Sequence, residues 1–117
     1  MATTANRSIT IVYTGDTTGT QTLPAAANAA SPGSVEIKTL ASGANTITVP
    51  TGGATVVACT ILPPVGNTIS ITLKSITGDT GIRLHNTDPS TISLDSSVTS
   101  FCLTTTDILT GLRLYWT

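Results

Sequence analysis

Charge is what this sequence has least of. Charged residues make up 9% of its 117 positions, against roughly 25% in an ordinary soluble domain, and the net charge is -1. The basic residues, Arg7, Lys38, Lys74, Arg83 and Arg113, lie scattered along the chain. No basic stripe exists that could neutralise a row of phosphates, which excludes nucleic acid as a partner. Aromatic residues are almost as scarce: Tyr13, Phe101, Tyr115 and Trp116, or 3% of the chain. That is thin material for the stacking platforms with which sugar-binding sandwiches hold glycans. The single histidine, His85, falls in a turn-like stretch, His85-Asn-Thr-Asp-Pro89, so no nucleophile, base and orienting group can be assembled from the sequence and no enzyme is expected. No apolar run approaches the ~20 residues of a membrane helix. The opening Met1-Ala-Thr-Thr-Ala-Asn-Arg7 lacks the charged and apolar regions of a signal peptide, so the expectation is a protein made and kept in a cytoplasm, without a membrane partner.

The remaining reactive groups read as structural. Cys59 and Cys102 have no metal-like spacing with each other or with His85, and free cysteine is among the most buried residue types. Two small buried side chains are expected, with a disulfide left open because bridging needs the Cα atoms within about 7 Å. Asp16, Asp79, Asp88, Asp95 and Asp107 all sit beside Gly, Pro, Ser or Thr, where aspartate closes turns through its own backbone. A calcium site drawn from Asp79, Asp88 or Asp95 is the one alternative, since such sites need clustered oxygens rather than a motif. No metal or cofactor is expected.

What the chain does have is alternation. Asn45-Thr-Ile-Thr-Val-Pro50, Asn67-Thr-Ile-Ser-Ile-Thr-Leu-Lys74, Gly81-Ile-Arg-Leu-His85, Thr91-Ile-Ser-Leu-Asp95 and Gly111-Leu-Arg-Leu-Tyr115 each place every second, apolar residue on one face of a strand. Strands are predicted near 8–14, 34–40, 46–49, 55–62, 68–74, 81–84, 91–94, 100–104 and 112–116, about ten residues apart. That spacing predicts a single all-β domain over 1–117, an antiparallel β-sandwich or jelly-roll-like fold of eight or nine short strands. The stretch 55–62 is apolar on both faces and suits a central strand. Thr-x-Thr pairs recur irregularly, which excludes a solenoid with stacked threonine ladders.

Between the first strand and Ser34 the pattern fails. Residues 15–34 are small and polar with no period, and read as an extended irregular loop or arm, with Leu23 as its lone large apolar anchor followed by Pro24. Tyr115 and Trp116 are consecutive, so a strand sends them to opposite faces and one ring is left for a partner to cover. Leu23, Pro24, Tyr115 and Trp116 are therefore the candidate interface residues. Sparse charge and a high mean hydropathy point the same way, to a homo-oligomer that hides part of its surface.

The stretch from Thr68 to Pro89, Thr-Ile-Ser-Ile-Thr-Leu-Lys-Ser-Ile-Thr-Gly-Asp-Thr-Gly-Ile-Arg-Leu-His-Asn-Thr-Asp-Pro, continued by Ile92-Ser-Leu-Asp-Ser-Ser-Val-Thr-Ser-Phe101 and Gly111-Leu-Arg-Leu-Tyr-Trp116, resembles small β-rich virion proteins of tailed bacteriophages. The resemblance covers about the last half of the chain and is one of texture. It implies a capsid decoration, or cement, protein, made in the host cytoplasm and carried on the virion, typically as a trimer that contacts the major capsid protein or another virion protein. The alternative is a tail or fibre-associated module that binds a host surface glycan.

Overall fold

The computed structural model describes residues 3–15, 19–22, 26–31, 34–50 and 56–117. Among these residues the chain forms twelve strands and no helix: β1 (Thr3–Arg7), β2 (Thr10–Tyr13), β3 (Gly19–Thr22), β4 (Ala26–Ser31), β5 (Ser34–Leu40), β6 (Gly43–Thr48), β7 (Ala58–Leu62), β8 (Ile71–Lys74), β9 (Ile82–Arg83), β10 (Ser90–Ser93), β11 (Ser100–Thr105) and β12 (Leu109–Trp116). The eight strands from β5 onward pair as a folded ribbon, β5 with β12, β6 with β11, β7 with β10 and β8 with β9, all antiparallel. Two further pairs, β12 with β7 and β11 with β8, close this ribbon into sheets of order β10-β7-β12-β5 and β6-β11-β8-β9. Two such four-stranded sheets fed alternately by one chain make a jelly roll, which settles the choice that the sequence left open.

Alternation builds the core between the sheets. Ile47, Ile61, Ile71, Leu103, Leu112 and Leu114 are fully buried, and the Phe101 and Trp116 rings meet at a centroid distance of 6.1 Å. β12 contributes most, and its spacing is odd: Leu109 and Leu112 both point inward although three positions apart. A bulge between Thr110 and Leu112 makes this possible, and Gly111 takes the φ of +86° that the bulge requires. Two asparagines tie loops to the sheets. Asn45 accepts the Ala41 amide at 3.0 Å and donates to the Ala41 and Leu103 carbonyls at 2.9 and 3.2 Å. Buried Asn67 donates to the carbonyls of Ile69 and Asn86 at 2.9 and 2.8 Å, so the loop after β7 is held to the one after β9.

The N-terminal part differs from expectation. The sequence suggests one strand at 8–14 and an irregular connection over 15–34. Instead β1 pairs with β4 and β2 with β3, so the segment forms a two-stranded ribbon whose returning half is β3 and β4. Periodicity reports burial in a core, and a ribbon outside the core has no reason to show it. Two global measures agree with a projecting element. The radius of gyration is 15.6 Å, against about 13.4 Å for a compact domain of this length. Accessible surface is 7130 Å², roughly 1,200 Å² more than a globular chain of this mass presents.

Among the described glycines the most constrained is Gly81, where φ is +77° and an added Cβ would stand 2.5 Å from the Leu73 carbonyl oxygen and 2.6 Å from Lys74 Cγ. Gly78, in the same connection, has open space around it. Gly81→Ala is expected to destabilise the domain by about 2 kcal/mol or more and Gly78→Ala by under about 1 kcal/mol, read from urea unfolding midpoints at unchanged slope. Equal effects would contradict this account of the turn.

Candidate functional site

The ribbon is the first surface without a partner. Among the described residues its four strands pair only with one another, so both outer edges carry free backbone N–H and C=O groups. Ile9, Ile11 and Val12 are 51, 40 and 61% exposed on it. An isolated two-stranded ribbon is marginal in water, and here, among the described residues, a hydrogen bond from Arg7 Nη1 to Ser93 Oγ at 3.4 Å ties it to the jelly roll. Such an element gains stability by lying against something else. Leu23 and Pro24, the anchor expected in this arm, lie outside the described residues.

The second surface is the outer face of the β10-β7-β12-β5 sheet. The two C-terminal rings separate as consecutive strand residues must, but the partner-facing role expected for Trp116 does not stand: it is 1% exposed, inside the chain's own core, and its Nε1 donates to Glu36 Oε1 at 3.0 Å. Tyr115 is half-buried on the outer face, opposite Val35 on β5 and Thr60 on β7. Val35 and Ile37 are 57 and 68% exposed on that same face. Their strand is inverted relative to simple alternation. Leu40 enters the core and sets the parity, which turns Glu36 and Lys38 inward and the two aliphatics out. Glu36 is held there by the Trp116 indole and by Lys38 Nζ, 3.2 Å from Oε2. The spacing of Leu40 from Val35 and Ile37 was the signal available in the sequence for this inversion.

The groups with chemistry elsewhere are engaged in turns or buried. Asp79 accepts from Ser75 Oγ and from the Ile76 amide, Asp95 accepts the Ser97 amide at 2.9 Å, and Asp107 accepts the Ile108 amide at 2.7 Å. These bonds hold the Asp79 and Asp95 carboxyls below the usual range. His85 is exposed, and its Nδ1 accepts the Asp88 amide at 2.9 Å. Among the described residues no three His, Cys, Asp or Glu side chains come together as metal ligands, so Asp79, Asp88 and Asp95 do not converge. A cleft of about 600 Å³ opens between the β9 and β10 edges, walled by Leu73, Ile82, Ile92, Leu94 and Phe101.

Cys59 and Cys102 are both free and buried, on different faces of different sheets. Burial, with the nearby Glu36 carboxylate as a lesser cause, raises the Cys59 thiol from 9.0 to about 12. The folded thiol is then neutral up to about pH 12, whereas the unfolded one ionises near pH 8.5. Stability from this group is therefore complete below that pH and is lost as pH climbs toward 12. Cys59→Ala should flatten that alkaline decline in denaturant midpoints, and neither native thiol should react with a thiol reagent until the chain unfolds. Rapid labelling of Cys59 in the folded protein would refute the burial argument.

Compared with known proteins, the chain matches no protein-family model, no curated protein and no solved structure. What it does must be read from its own surfaces.

Proposed function

We propose that the chain is a non-enzymatic structural protein of a tailed bacteriophage virion, a capsid decoration protein that reinforces the head through contacts with its own copies and with the major capsid protein. The observation that carries this reading is the ribbon β1–β4: among the described residues its strands pair only with one another, its edges are free, and Ile9, Ile11 and Val12 are exposed on it. An element of that kind adds to a neighbour by strand pairing, with backbone hydrogen bonds giving affinity and alternate side chains giving specificity. The chain's surplus surface, roughly 1,200 Å² over a globular chain of its mass, is enough for the roughly 800 Å² per partner of a standard protein interface. A ribbon reaching from each copy to the next is a head-to-tail contact, which closes as a ring when the rotation permits, and a trimer is the ring that suits a three-fold position on a capsid. Many such copies would then resist internal pressure by summed contacts, each modest alone.

The glycan-binding alternative has less to support it. Of the three rings whose exposure is described, Phe101 and Trp116 are buried, and Tyr115 is half-buried beside Val35.

Ile11 and Val12 can be changed without touching the jelly-roll core. The double variant Ile11→Asp, Val12→Asp is expected to keep its melting temperature within a few degrees yet bind purified heads at least about tenfold more weakly, by the loss of buried apolar area and the burial of charge. Full occupancy of the heads by this variant would remove the ribbon from the proposed function. Absence of head binding by the unaltered protein would remove the function itself.

A further inference from the structure

The two sheets end in four edges, and they are not alike. β9 has two residues, and β10 is a short Ser- and Thr-rich strand. β6 exposes Ala44, Thr46 and Thr48. β5 is different: seven residues long, hydrogen-bonded to β12 on one side, with Val35 and Ile37 exposed. A long apolar edge of this kind is a template for another strand.

We propose that β5 pairs antiparallel with β5 of a second copy across a two-fold axis through Ile37, joining two four-stranded sheets into one of eight. The charges choose both the occupant and the register. With Ile37 facing Ile37, Glu36 of each copy faces Lys38 of the other, Val35 faces Thr39, and Ser34 faces Leu40, so the whole strand overlaps. Moving the axis one residue to Glu36 sets two carboxylates face to face, and moving it to Lys38 sets two ammonium groups face to face, both unfavourable for directly opposed strand residues. Full overlap and charge complementarity therefore select the same register.

The side chains are placed to change partners. Glu36 and Lys38 are about one-third exposed, 35 and 32%, and lie 3.2 Å apart within one copy. In the pair each carboxylate would sit between its own lysine and the partner's. On the outer face the two Ile37 side chains would cover each other, each with Arg113 of its own β12 on its other side. Charges on an edge strand often serve to prevent pairing, but a guard of one sign repels its own symmetry copy, and Glu-x-Lys attracts it. This contact uses a strand that the ribbon does not, so it stands or falls separately from head binding.

Variants of the full chain with one added cysteine, Val35→Cys, Ile37→Cys and Thr39→Cys, read the register directly, because all three positions are exposed and Cys59 and Cys102 are buried. Facing residues of an antiparallel pair have Cα atoms about 4.5–5.5 Å apart, within the range of a disulfide. Ile37→Cys should link to itself under mild oxidation. Val35→Cys and Thr39→Cys should link when mixed and stay unlinked alone, since two copies of either would stand about 13 Å apart. Lys38→Glu should cut the Ile37→Cys linking rate at least about tenfold by opposing like charges. Equal self-linking by all three variants, or none by Ile37→Cys, would overturn the pairing. So would a preferred link from Ile37→Cys to Val12→Cys, which would put a neighbour's ribbon on this edge instead.

Discussion

The jelly roll depends on the inward row of its last strand. β12 pairs with β5 on one side and β7 on the other, and it sends Leu109, Leu112, Leu114 and Trp116 into the space between the sheets. Burying a side chain such as Leu114 or Trp116 is worth on the order of 3 kcal/mol, a large share of the net stability of a domain this size. The bulge at Gly111 lets one strand serve both halves of the core, since without it Leu109 and Leu112 would face opposite ways. Trp116 also decides what β5 can be. Its indole N–H needs an acceptor in a buried place, Glu36 supplies it, and an inward Glu36 forces Val35 and Ile37 outward.

That chain of consequences turns a core requirement into a surface property. A sandwich has edges, and each edge strand presents unpaired backbone groups that must be shortened, bent, charged or covered. Here β9 is shortened, and β6 meets the turn that Asn45 locks through the Ala41 amide and carbonyl. β5 and the β1–β4 ribbon receive no such treatment among the described residues. Both keep β-branched side chains in the open, and both are long enough to add to another sheet. The unpartnered elements of the fold are thus the ones with the most to gain from a neighbour.

How much of this was legible in the sequence follows from what periodicity measures. Most strands of the jelly roll were readable because one face lies in the core: Ile47 and Val49, Ile69 and Ile71, Ile92 and Leu94, and Phe101 and Leu103 all alternate with Thr, Ser or Cys, whereas β5 alternates with its aliphatics turned outward and both residues of β9 are exposed. The aspartates at turns were readable because a short side chain beside Ser or Gly closes a turn locally, and Asp79 and Asp95 do so. Of the ribbon only β2 was, inside the strand expected at 8–14; β1, β3 and β4 were not, because strands stabilised by each other and by no core have no reason to alternate. Ala26-Ala-Asn-Ala-Ala-Ser31 would pass for a connection in any reading based on burial. The fate of Trp116 was likewise hidden, since two adjacent rings in a strand must part company but only the strand's register says which goes in. Strand order was beyond reach altogether, being set by pairs such as β5 with β12 that lie far apart in sequence.

The scarcity of charge takes on a meaning once the edges are in view. A surface with many charges keeps copies apart through repulsion and can specify partners by broad complementarity of field. This chain, at 9% charged residues and a net charge of -1, has neither. Its threonine-rich faces can approach copies of themselves closely with little repulsion, which suits a protein packed at high density on an assembly, but a surface of that kind gives little guidance on register. Specificity then has to come from the few charges that remain, placed where strands would meet. Glu36 and Lys38 are an anion and a cation two residues apart on β5, the longest jelly-roll edge left free among the described residues, and with so few charges elsewhere their contribution to register is not diluted by a competing pattern.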